Sequence, residues 1–166
     1  MLFQTLGRTQ VNSRTLAPQE QHLEAMAVYN DGEYIRAHDM FLTLAQQGNV
    51  DAKAMLGVIY FHGHGVDADR VKSAIWFYQA ARAGRAPAQL LVGKLFLSGE
   101  GVAADRDEAA FWLTLARDRG EGEVAENAQA ALQTVLPTLS ADVRESIQRR
   151  VKFWRPDVSD QETLGS

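Results

Sequence analysis

Cysteine is absent from the 166 residues, so neither a disulfide framework nor a thiolate metal site can hold this chain together. Proline is scarce, at four residues, which leaves long stretches free to be helical because an internal proline breaks a helix. No run of about 18 apolar residues occurs, and that excludes a membrane-spanning helix. Alternation of apolar and polar residues, the mark of a half-buried strand, is missing as well. The net charge is −4, which gives no basic footprint for nucleic acid. Residues 1–16 lack the basic start, apolar core and small-residue cleavage site of a signal peptide. This favours the cytoplasm, with a periplasmic location left open if the native N-terminus was trimmed. What is present is 46% apolar content, enough for one domain with a sizeable core.

Residues 51–122 contain one 36-residue unit written twice, with identical residues at twelve positions. The pairs include Gly57/Gly93, Gly63/Gly99, Gly65/Gly101, Val66/Val102, Asp69/Asp105, Trp76/Trp112, Ala80/Ala116 and Gly84/Gly120. A period of this size indicates stacked supersecondary units, none of which can bury its apolar face alone.

Each segment of the unit has a physical reading. Ala52, Met55, Leu56, Ile59 and Tyr60 fall on one helical face, and Ala88, Leu91, Val92, Leu95 and Phe96 repeat it. Gly57 and Gly93 sit inside these helices, where glycine costs about 1 kcal/mol against alanine, so close approach of a neighbouring backbone is expected to compensate. The helix stops at GHGV or GEGV, whose two glycines supply positive φ for a tight connection. Asp69 and Asp105 then cap a second helix, and Asp105 with Glu108 has the spacing of a capping box. That helix buries Ser73, Trp76, Phe77 and Ala80, matched by Ala109, Trp112, Leu113 and Ala116. The two tryptophans are expected to be equivalently buried, and Gly84 and Gly120 to end their helices as C-terminal caps.

The order Leu56-Gly57, Tyr60, Gly63-x-Gly65-Val66, Asp69, Ser73-x-x-Trp76, Ala80 and Gly84 resembles the Sel-one-like repeat, a relative of the tetratricopeptide repeat with a longer loop inside the helix pair. The second copy reads Val92-Gly93, Phe96, Gly99-x-Gly101-Val102, Asp105, Ala109-x-x-Trp112, Ala116 and Gly120. The resemblance covers 72 of 166 residues, and Ser73, Val92 and Phe96 depart from the usual Ala, Leu and Tyr.

Outside the two copies the pattern loosens. Residues 1–16 read as a mobile arm. Pro18 opens a helix to about Asn30, and Asp31-Gly32 turns into a second helix that Gly48 closes. Since 84 − 48 = 36 and 120 − 84 = 36, this shorter unit keeps the period. After Gly120 a helix with Val124, Ala128, Ala131 and Val135 on one side is followed by Pro137. Ser140 then opens a last helix with the stripe Val143, Ile147, Val151 and Trp154. The basic residues around that stripe could meet a membrane or nucleic acid, but a repeat stack needs a terminal cap, and that is the role expected. The expected fold is therefore all-α: an α-α solenoid of about three helix-turn-helix repeats plus a C-terminal capping helix. One repeat domain is expected over 17–154, in units of about 18–50, 51–86 and 87–122 with a cap at 123–154, followed by a tail at 155–166.

Chemistry is sparse. His62 and His64 stand near Asp67 and Asp69, but the second copy has Ser98 and Glu100 at the histidine positions, so no metal is expected and His64→Ser should be nearly neutral. GHGV and GEGV follow no strand and lack the Lys-Ser/Thr pair of a phosphate loop, and no serine-lysine pattern occurs. No catalytic residue and no cofactor is expected. In the family resembled here the first helices line the concave side of the solenoid. That side would present Met26, Tyr29, Val58, Phe61, His62, Leu90, Lys94 and Leu97. The same residues could instead pack helix against helix. The resemblance implies a non-enzymatic adaptor or scaffold that holds a peptide, a helix or a partner subunit there. A hydrolase-like member of the repeat family, or a purely structural self-associating subunit, is the alternative, so self-association stays open. Were the groove not the site, the outer faces carrying Ile75 and Tyr78, or the basic last helix, would be.

Overall fold

Asn49, Asp69, Asp105 and Ser140 each precede an apolar helical pattern, and in the computed structural model, which describes residues 16–157, each caps a helix. The Asn49 side chain accepts from the amide of Ala52 at 2.8 Å, and Asp69 from Lys72 at 2.9 Å. Asp105 accepts from both Asp107 and Glu108, and the Ser140 hydroxyl accepts from Val143. Eight α-helices result among the described residues, with no strand. They are α1 (Pro18–Asn30), α2 (Tyr34–Gln46), α3 (Val50–His62), α4 (Arg70–Arg82), α5 (Ala86–Ser98), α6 (Arg106–Arg119), α7 (Gly122–Val135) and α8 (Ala141–Phe153), with a 3-10 turn at Leu136–Thr138. The arm and most of the tail expected from the sequence, 1–15 and 158–166, lie outside the described residues.

Consecutive helices pack from α1 to α7 in order, so each hairpin buries the face that its neighbour leaves open. The architecture is an all-α solenoid. Two apolar clusters form the core. One holds Ala25, Val28, Phe41 and Leu44 against Ala52, Leu56 and Ile59; the other runs from Phe77 through Val92 and Leu113 to Leu132 and Ile147. The last helix packs on α6, with Ile147 buried and Val143, Val151 and Trp154 against the second cluster. One cation of its basic side is used within the chain, since Arg150 pairs with Glu108 and lies over the Phe111 ring; Arg119 of α6 in turn lies over Trp154.

The two GxGV loops are copies in space. Gly63 and Gly99 both have φ +74°, Gly65 has +76° and Gly101 has +73°. In each loop the capping aspartate's own amide donates back to the preceding helix at 2.9 Å, Asp69 to Tyr60 and Asp105 to Phe96. That bond, together with the pairing of Glu108 with Arg150, leaves the capping box at Asp105 half formed: its side chain accepts from the Glu108 amide, but the Glu108 carboxylate does not return the bond. The second glycine of each loop has a further role. A Cβ at Gly65 would meet the backbone of Tyr34 and Ile35, and one at Gly101 the backbone of Arg70 and Val71. Each loop thus seats on the start of the second helix of the preceding unit, and glycine is needed for both the conformation and the contact.

Three local expectations are corrected. Gly57 makes room for a side chain rather than a backbone, since a Cβ there would lie 2.7 Å from the Phe77 ring; at Gly93 a Cβ would lie 2.6 Å from Leu113 Cγ and also 3.3 Å from the Ala109 carbonyl oxygen, so there a backbone approaches as well. Gly120 ends α6 at φ −83°, outside the left-handed region that Gly84 occupies at +95°. Trp76 is only partly buried, against the first cluster, whereas Trp112 is 2% exposed in the second. Their surroundings differ because α4 packs chiefly on α3 and α5, while α6 is enclosed by α5, α7 and α8.

Candidate functional site

Some of the apolar residues that the hairpins leave partly open lie on the side formed by α1, α3 and α5. Met26 and His22 of α1, Ala54, Met55 and Val58 of α3, and Pro87 and Leu91 of α5 bound a depression of about 260 Å³, floored by Phe77 of α4. Its rim carries an ion pair between Asp51, in the first turn of α3, and Arg85, the residue that precedes α5. His22 stands edge-on to Phe41, and its Nδ1 is buried without a partner among the described residues. Apolar walls with a few polar groups at the edge suit an apolar side chain carried on a polar backbone. A larger, more open hollow of about 800 Å³ lies beside α2, along Tyr34, Ile35, Asp39, Met40 and Gly65.

Of the eight residues proposed from the sequence, Met26 and Val58 border the depression. Leu90 does not: it is buried in the second cluster, because α7 follows α5 closely there, and it is corrected to a core residue. Lys94 is exposed one turn further along α5, and Leu97 is half-buried against the core. The sequence reading missed Leu91 and Met55. Their signal was visible as matched positions of the repeat, but both had been placed on the buried face.

Tyr29, Phe61 and His62 belong to a different assembly, an aromatic array at the junction of the first two units. Tyr29 and His64 Nδ1 are hydrogen-bonded at 2.7 Å. His64 is stacked between Tyr34, at 4.5 Å, and His62, at 5.2 Å. Burial, and secondarily the neighbouring Tyr34, raises the Tyr29 phenol above its ordinary pKa, so it stays protonated and able to donate. The Arg70 guanidinium covers Phe61 at 3.6 Å from the ring centre. His64 is therefore not interchangeable with the Glu100 of the second copy. His64→Ser should lower stability by about 1 kcal/mol, the worth of one hydrogen bond and its stacking, rather than leave it unchanged. A thermal melt matching the parent would remove the array from the fold's energetics.

Among the described residues no group of three or more His, Cys, Asp or Glu side chains could hold a metal ion, and no helix is long and apolar enough to cross a membrane.

Paired helices, the long glycine loop and stacking at a 36-residue period define the class of α-α solenoids with an extended intra-hairpin loop. Within that class the chain carries Sel1 repeats: the family model of the Sel1 repeat matches residues 50–84 and 86–121. Two solved structures share the fold. One is c5321, a protective antigen present in uropathogenic Escherichia coli strains and displaying an SLR fold, with 22% identity and a TM-score of 0.73 over 83% of this chain and 30% of that one. The other is a Sel1 repeat protein from Oxalobacter formigenes, with 28% identity and a TM-score of 0.63 over 69% of this chain and 47% of that one. This chain thus spans less than half of either neighbour. No curated protein matches it. Sel1 repeats generally serve as protein-interaction scaffolds and are typically non-catalytic.

Proposed function

We propose that this protein is a non-enzymatic adaptor that holds a segment of a protein partner on the side formed by α1, α3 and α5. The observation that carries the reading is the depression between Met26, Val58 and Leu91, an apolar recess on the surface that the first helix of every unit contributes. Met26 and Met55 suit such a role, since the flexible, polarisable thioether adapts to different apolar side chains. The Asp51–Arg85 pair on the rim can exchange its internal partner for polar groups of a bound backbone. Phe61, under the Arg70 guanidinium, and Tyr29, bonded to His64, are already engaged, so the anchors sit at Met26, Val58 and Leu91.

Val58→Asp tests this, because it places a charge where a partner must lose water. With the protein used as bait in extract of its own cells, Val58→Asp should lower capture of the partner at least tenfold while keeping the helical circular dichroism. A folded variant that captures the same partner undiminished would move the site elsewhere.

A further inference from the structure

The internal repeat also places a second surface on the page, on the opposite side of the stack. Positions 71, 75 and 78 of α4 correspond, at 36 residues, to 107, 111 and 114 of α6. On α6 this outer face is covered. Phe111 is 5% exposed, Thr114 is buried, and the amphipathic α8 packs there with its stripe Val143, Ile147 and Val151 inward. On α4 the same face is more open, although the Tyr78 ring meets Trp112 edge-on. Val71 is 56% exposed, Ile75 52% and Tyr78 39%, in one stripe at helical spacing.

The charges beside the two stripes are inverted. Glu108 of α6, which takes Arg150 of the basic α8, corresponds to Lys72 of α4, and Asp118 corresponds to Arg82. Arg70 is matched by Arg106 and lies over Phe61, so it takes no part in this reversal. Lys72 lies 3.6 Å from the capping Asp69, and Arg82 2.8 Å from Asp157, so both have an internal carboxylate. Both pairs are solvent-exposed, where such contacts contribute little and yield readily to a better arrangement. The chain thus contains its own template for a helix laid on this face, and has reversed the charge that selects it.

We infer that the outer face of α4, formed by Val71, Ile75 and Tyr78 and flanked by Lys72 and Arg82, docks an acidic amphipathic helix of a protein partner in the manner in which α6 docks the basic α8. The apolar stripe supplies the contact, and the reversed charge excludes a basic helix such as α8 itself. This surface is separate from the depression on α1, α3 and α5.

The test uses two stapled, fluorescently labelled peptides against the full chain. One has the sequence of residues 141–153; the other is identical except that glutamate replaces Arg144, Arg149, Arg150 and Lys152. The acidic peptide should bind at least tenfold more tightly than the basic one, and raised salt should narrow the gap. Ile75→Glu should weaken the acidic peptide at least tenfold without changing the melt, since the side chain it replaces is exposed, and Val58→Asp should leave it unaffected. The inference is overturned if the basic peptide binds equally well, if neither binds, or if Ile75→Glu has no effect. It is also overturned if sedimentation shows a dimer that Ile75→Glu dissociates, which would make a second copy the occupant. Tighter peptide binding on changing Asp160 and Glu162 to Lys would likewise assign the face to the chain's own C-terminal segment.

Discussion

Trp112→Ala should cost about 3–5 kcal/mol, the range for removing a large side chain from an enclosed core, whereas Trp76→Ala should cost clearly less. Trp112 is enclosed by the second cluster and in edge contact with Phe111 and Tyr78. Its loss leaves a cavity walled by three helices that cannot all collapse inward. Trp76 sits at the margin of the first cluster, and water can occupy part of the space it vacates. Trp112→Phe should recover much of the loss, because the buried indole Nε1 has no acceptor among the described residues and the phenyl ring carries no such donor. Chemical denaturation of the three variants measures this directly. Equal losses for the two alanine variants would mean that the two repeats are energetically equivalent after all.

Gly101→Ala should be the most damaging of the glycine substitutions, at about 3 kcal/mol or more. At φ +73° an L residue already costs about 1–2 kcal/mol, and the added Cβ would stand 2.6 Å from the Arg70 carbonyl carbon and overlap its oxygen. Neither side of that contact can yield, since both are backbone at the seat between two units. Gly32→Ala is the matched control, with φ +82° and nothing within 4 Å of the new Cβ, and should cost only the conformational part. Melting temperatures that fall equally for the two would show that the contact between the loop and α4 contributes nothing.

The charged surface shows why an exposed group can matter to the helix and still say little about a site. Asp69 has its carboxyl held below the ordinary value, chiefly by the Lys72 amide that it caps. The stability this supplies is present above the unfolded carboxylate pKa and fades as pH falls through the folded one. That is a property of the helix start and not of a binding surface.

Periodicity, capping residues and glycine spacing are local properties of the chain, and from them the helices, the order of stacking and the Sel1 character were legible. Gly63, Gly65, Gly99 and Gly101 announced their loops because only glycine takes positive φ cheaply, and Asp69 and Asp105 announced their helices because a side-chain acceptor is needed at an open amide. The candidate site was harder to read. Met26 and Val58 could be placed on the right side from repeat position, but whether Leu90 is open or buried depends on how closely α7 follows α5. Whether a stripe on α4 is open and its copy on α6 covered depends on where α8 comes to rest. Two copies of one repeating unit therefore have different exposures at matched residues, Trp76 and Trp112 or Ile75 and Phe111. The sequence by itself determined the repeating unit, because its hydrogen bonds and backbone angles are satisfied within about 36 residues. Only the tertiary structure decided which copies of a face are available, because burial is set by neighbours far along the chain, and an end unit has neighbours that a middle unit lacks.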